Sequence, residues 1–112
     1  MAKENQKVVT SALFDINDIP SIHEYGTETF GLKLADGFID EIYKRLEELS
    51  FNFYLHPECR FIITEKKKYR NIILGAYLII YRITPDRIEV LRAFHSSRSP
   101  KMIRTARNVS ID

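Results

Sequence analysis

At 112 residues the chain has the length of one compact domain, and its 45% hydrophobic and 29% charged content excludes a disordered, collagen-like or low-complexity chain. The one cysteine, Cys59, excludes an internal disulfide and a cysteine-based zinc site, and fits a reducing cytosol. The polar start Met1–Lys7 has no apolar signal region behind it, and the longest apolar run, 72–81, contains Gly75 and is too short for a bilayer, so a cytoplasmic protein outside the membrane is expected. Net charge is +2 but uneven: residues 1–56 carry five Lys/Arg against ten Asp/Glu, a net of −5, and residues 57–112 carry twelve against five, a net of +7. A half that basic attracts polyanions or an acidic protein. A solvated surface without a partner has the same asymmetry. A partner is favoured here because the strands also fall in the basic half.

Val8-Val9-Thr10 favours a short strand after a frayed terminus. Ala12, Leu13, Ile16 and Ile19 then recur at helical spacing, with Ser11 placed as N-cap. Pro20 predicts a kink or a restart, and Ser21-Ile22-His23-Glu24 has capping-box form. A second helix is predicted over 27–49, where Ala35, Phe38, Ile42, Leu46 and Leu49 form one apolar stripe opposite Asp36, Asp40, Lys44, Glu47 and Glu48. The two helices read as an antiparallel hairpin with Tyr25-Gly26 near its tip. Phe51, Phe53, Tyr54 and Leu55 are expected to form an aromatic knot under the core, and Pro57 ends helix formation.

After Pro57 the period becomes that of strands. Segment 61–64 reads as a short strand and 69–74 as a better one, followed by a tight Gly75-Ala76 turn. Segment 77–83 is apolar at nearly every position, which predicts a central strand covered on both faces. Thr84-Pro85-Asp86-Arg87 is a turn and 87–94 the last strand. That turn fixes a register: Ile83 opposite Ile88, Tyr81 opposite Val90, Ile79 opposite Arg92, and Arg82 opposite Glu89 as a cross-strand ion pair. Residues 100–107 suit a short basic helix, with Ser99 as N-cap and Pro100 in the first turn. The fold class is therefore α+β, in a single domain over 1–112. An N-terminal strand and a helical hairpin pack on a curved antiparallel sheet of three to four strands, with a short basic C-terminal helix or tail.

The stretch from Tyr77 to Arg98 resembles the end of RelE/ParE-superfamily toxins. It reads aromatic-x-apolar-apolar-Tyr81-Arg82-apolar, a turn, then apolar-x-apolar-Leu91-Arg92-x-x-His95-x-x-Arg98. Upstream, Val8-Val9, Ser11, Asp15-Ile16, Ile19, Tyr25, Gly31, Ala35, Phe38, Leu46, Leu49 and Pro57 fit the same pattern, so the resemblance covers nearly the whole chain. It implies the toxin of a type II toxin–antitoxin (plasmid stabilisation) module, neutralised by a cognate antitoxin whose contact residues it does not assign. It implies one of two activities, mRNA cleavage in the ribosome or poisoning of DNA gyrase, or else a degenerate member without toxicity.

RNA cleavage needs cationic clamps on the scissile phosphate and groups that move protons from the 2′-OH and to the leaving oxygen. Nuclease members commonly carry an Arg where this chain has Leu78, which can do neither. His95 is the acid/base candidate and Arg98 its phosphate partner. A capping or surface role for His95 is the preferred alternative. Arg60, Lys66, Lys67, Lys68, Arg70, Arg98 and Lys101 are candidates for target or phosphate binding, against the plainer reading of solvated loops. Tyr69, Tyr77 and Tyr81 are read as packing residues before base-stacking ones, and Arg82 and Arg92 as locally paired. His23 and His56 have no ligand-spaced partner, so no metal is expected, and no cofactor either. The leading reading is a gyrase poison acting by protein binding. The first alternative is a ribosome-dependent mRNA endoribonuclease, and the second a non-toxic basic α+β interaction module.

Overall fold

The computed structural model describes residues 5–111. Of the polar start, Met1–Glu4, where a frayed terminus is expected, lies outside the described residues. Strand β1 (Lys7–Thr10) leads into a π-helical turn (Leu13–Asp18), helix α1 (Ile19–Phe30) and helix α2 (Leu32–Asn52). Then follow strands β2 (Tyr69–Leu74), β3 (Tyr77–Ile83) and β4 (Arg87–His95), helix α3 (Pro100–Arg104) and a 3-10 turn (Thr105–Asn108). The sheet order is β1-β4-β3-β2. The three later strands run antiparallel as expected. The N-terminal strand instead joins β4 in parallel, so the sheet is mixed.

The first helical segment departs from its expected face. Ala12, Leu13 and Ile16 point to solvent, and the buried positions are Phe14, Asp18 and Ile22. Docking on β4 explains this: Ser11 and Asp18 both bond to its backbone, which turns the Phe14 and Ile22 side of the segment inward. Ser11 does cap the segment, its Oγ accepting the Phe14 N–H at 3.0 Å. Pro20 marks the restart, one residue before Ser21: the π-helical winding ends at Asp18 and α1 begins at Ile19. It sits in the first turn of α1, where a missing N–H costs nothing. The hairpin turns at Gly31 rather than at Tyr25-Gly26, since a backbone φ of 95° is reached without strain only by glycine. In α2, Ala35, Ile42, Leu46 and Leu49 are buried and Phe38 packs at their margin, as the stripe requires.

Strand β3 is central and covered on both faces, with Ile79, Ile80 and Tyr81 fully buried. On the front face, Ile72, Ile79, Tyr81, Ile88 and Val90 meet Phe14, Ile22, Ile42, Leu46, Leu49 and Phe53 from the helices. On the back face, Tyr69, Ile80, Leu91 and Phe94 meet Cys59, Ile62, Ile103 and Ala106. Segment 61–64 is no strand: Ile62 drops into the back cluster while Ile63 points to solvent. Of the aromatic knot only Phe53 is buried: the Tyr54 ring packs on it at 4.6 Å but stays half exposed, and Phe51 and Leu55 are exposed.

The register follows the turn as far as Tyr81. Ile83 faces Ile88, Arg82 faces Glu89 and Tyr81 faces Val90. A bulge then shifts the pairing, so Ile79 faces Ala93 rather than Arg92. The bulge is where the π-helical segment docks. Ser11 Oγ donates to the Leu91 carbonyl at 2.6 Å, and the Ala93 N–H donates to Asp18 Oδ2 at 2.9 Å. An extra residue in one strand frees backbone groups that its neighbour cannot satisfy, and here two polar side chains take them up.

Candidate functional site

Two depressions adjoin along helix α1 and share Ile22, Tyr77 and His95. The larger, about 410 Å³, is apolar and lies between the hairpin tip and the β2–β3 turn. Tyr25, Phe30 and Leu34 from the helices and Phe38 and Tyr77 behind them line it. Tyr25, Phe30 and Leu34 stay 55–65% exposed, a large apolar area to leave in water. Gly75, with φ of 58°, lets the β2–β3 turn close against the Phe38 ring. The sequence does carry a signal for this face. Phe30, Leu32 and Leu34 alternate about Gly31, a pattern no helix core stripe would use.

The smaller depression, about 260 Å³, is polar and contains Asn17, Asp18, Ser21, Arg92, His95 and Arg98. His95 and Arg98 are thus brought together at the end of β4. The His95 Nδ1 is occupied in its own turn, accepting the Ser97 N–H at 3.0 Å and standing 2.7 Å from Ser97 Oγ. Its ring meets Tyr77 edge-on at 5.5 Å. This is the geometry of a turn-capping histidine. Arg92 is engaged by Asp18 through a two-pronged contact, Nε to Oδ2 at 2.8 Å and Nη2 to Oδ1 at 2.9 Å. Its partner therefore lies 74 residues away rather than on a neighbouring strand position.

The other sequence candidates are dispersed. Arg70 is consumed structurally, Nη1 donating to the carbonyls of Tyr54 and His56 at 3.1 and 2.9 Å and Nε to that of Lys67 at 3.2 Å. Lys66, Lys67 and Lys68 are exposed on a loop where Lys67 adopts φ of 54°, and the Lys68 ammonium stands 5.6 Å from the Tyr69 ring. Arg60 is exposed and lies over Phe61. It is absent from the lining of the depression that holds Arg98. Lys101 is exposed on α3. Leu78, at the position where an arginine would serve a nuclease, packs against the back cluster. Arg82 pairs with Glu89 at 2.6 Å, in the cross-strand contact that the turn register predicts. Tyr69 and Tyr81 are buried, and the Tyr81 hydroxyl donates to the Phe53 carbonyl at 2.6 Å. Burial pushes the Tyr81 phenol well above its ordinary pKa, so it remains a donor at any working pH. Among the described residues no cluster of His, Cys, Asp or Glu could hold a metal ion. No described helix is long and apolar enough to cross a membrane.

A family model described as the ParE toxin of type II toxin–antitoxin system, parDE, matches residues 15–100. The chain belongs to the ParE toxin family. A solved structure titled "Chromosomal ParDE TA system from P. aeruginosa" is similar to it in fold, with a TM-score of 0.67 over 83% of this chain and 98% of that one, at 14% sequence identity. No curated protein matches the chain. The RelE/ParE resemblance read from Tyr77 to Arg98 thus falls in the right superfamily and the right branch, and the protein is a type II toxin of the ParE kind.

Proposed function

We propose that this toxin works by binding, as a poison of DNA gyrase, and that a cognate antitoxin neutralises it. The observation that carries the reading is the commitment of its strand guanidinium groups to the fold. Arg70 is held by carbonyls, Arg82 by Glu89 and Arg92 by Asp18. A phosphate clamp for RNA cleavage would have to break these contacts, and Leu78 offers no replacement. The antitoxin reading is supported by the family description and by the exposed apolar cleft, which suits an amphipathic segment better than water.

A second reading keeps one specific observation in its favour: His95 and Arg98 share a polar depression. Induced expression followed by primer extension on translated mRNA and by a gyrase-dependent break assay separates the two. The expected result is growth arrest with double-strand breaks and intact messages. Codon-positioned cuts that vanish in His95→Ala or Arg98→Ala would establish the nuclease instead. Expression without growth arrest would leave a non-toxic interaction module.

A further inference from the structure

The family match ends at residue 100, and the helical segment beyond it has a composition of its own. From Val90 to Ile111 the chain contains no Asp or Glu, yet it carries Arg98, Lys101, Arg104 and Arg107 beyond the strand, each three residues from the next. Helix α3 and the 3-10 turn turn this spacing into a stripe. Ile103 and Ala106 face the back of the sheet and are fully buried, while Lys101, Arg104 and Arg107 face solvent. Among the described residues none of the four cations forms an ion pair, in contrast to Arg45, Arg82, Arg87 and Arg92. The segment is firmly placed: Ser99 caps it through the Met102 N–H at 3.1 Å, and Arg82 and Arg87 hold the Val109 and Ile111 carbonyls at 3.0 and 2.7 Å.

Three unpaired cations on the exposed side of a rigid support, with Arg98 exposed in the turn before it and no acid among them, make a surface for a linear polyanion. We propose that this C-terminal stripe is laid along the phosphate backbone of duplex DNA. At a rise of about 1.5–2.0 Å per residue, Lys101 to Arg107 spans roughly 9–12 Å. Each strand of duplex DNA carries one phosphate per ~3.4 Å of helix axis, so about three phosphates of one backbone lie within that reach. Recognition of single-stranded RNA relies on aromatic platforms for unstacked bases. The stripe has none, and Tyr69 and Phe94 of the back cluster are buried. The chemistry is backbone contact without base reading. The inference goes beyond gyrase poisoning and stands without it, since it concerns the isolated toxin and DNA.

The test is fluorescence anisotropy of the purified toxin on a short labelled duplex of mixed sequence over a series of salt concentrations. Binding independent of sequence is expected, with log K falling against log salt at a slope of about −3.6 for four contacts. Lys101→Ala/Arg104→Ala should weaken binding roughly tenfold and make the slope shallower by about 1.8, and Arg107→Gln should make it shallower by about 0.9. Thermal melts close to that of the parent protein would show that these exposed changes leave the fold intact, and Arg107→Gln provides an independent reading if the double variant melts early. Absence of binding at low salt would overturn the proposal. So would variants that bind like the parent, loss of binding on Lys66→Ala/Lys67→Ala/Lys68→Ala instead, or tighter binding to single-stranded RNA of equal length. A toxin that fails here but still produces gyrase-dependent breaks would refute only the DNA contact.

Discussion

The two faces of the sheet are covered by different physical means. The front carries two long helices whose apolar stripe buries Ile42, Leu46 and Leu49 against β3 and β4. The back carries no long element. An irregular loop, one short helix and a 3-10 turn supply Cys59, Ile62, Ile103 and Ala106, and arginine-to-carbonyl bonds pin the C-terminal segment in place. Apolar area grows with helix length, so the front can hold itself by burial. The back lacks that area and replaces it with directed polar contacts. Burial tolerates sliding and leaves outer helix faces open for partners, whereas pinned carbonyls fix one geometry. The exposed cleft accordingly lies on the helical side, and the fixed cationic stripe on the other.

The contrast breaks first at the margin of the front face, where one buried ion pair does what area does elsewhere. Asp18 is 3% exposed as a side chain and receives both Arg92 and the Ala93 N–H. Asp18→Ala strands a largely buried guanidinium and an amide, so a loss of about 3–5 kcal/mol is expected in urea unfolding. Asp18→Asn keeps an acceptor and should cost less. Equal losses in the two variants would mean that charge pairing is not what matters there.

Truncation of the two cores compares the faces directly. Ile42 and Ile103 are both fully buried. Ile42→Ala opens a cavity in the middle of a 21-residue helix that cannot close over it, at about 3–5 kcal/mol. Ile103→Ala lies on a five-residue helix near the chain end that can settle inward, so about 2–3 kcal/mol is expected. Urea midpoints with unchanged m-values would check this order, and a reversed order would show the back face to be the stiffer one. The Tyr81 hydroxyl belongs to both descriptions, an aromatic ring in the front core with one directed bond to the Phe53 carbonyl. Tyr81→Phe removes that bond and should cost about 0.5–1.5 kcal/mol by the same measurement.

The faces also differed in how well they could be read from the sequence. Strands β2 and β3 end where turn chemistry places them, because Gly75-Ala76 and Thr84–Arg87 are local signals. The α2 stripe was legible because burial on one helix face repeats in the chain. The parallel docking of β1, the bulge at Leu91 and the Asp18–Arg92 pair were not, since each depends on residues far apart in sequence. The segment 57–68 misled for a related reason: Phe61-Ile62-Ile63-Thr64 has strand composition, but the chain meets the outer edge of β2 only around Glu58, which bridges to Arg70, and Ile62 is then drawn into the back cluster. At the site, chemistry was legible by residue type and geometry was not. His95 and Arg98 do adjoin, whereas Arg70 looked like a loop cation and is a structural clamp.

The smallest effect sharpens the comparison from the back face. Burial raises the Glu89 carboxyl pKa, but hydrogen bonds and charge from Arg82 and Arg87 outweigh it, and the net shift is downward. Burial and the two guanidinium groups act in opposite directions. The sign is nevertheless fixed. A carboxyl more acidic when folded adds stability above its unfolded pKa, about 4.3, and loses it as pH falls toward the folded value. Melting temperature should therefore decline below about pH 5 in the parent protein. In Glu89→Gln the melting temperature should start lower at neutral pH and decline less steeply, so that the two curves converge in acid. Parallel curves would mean that Arg82 and Arg87 hold the C-terminal carbonyls without help from Glu89, and that the back face is fixed by those bonds alone.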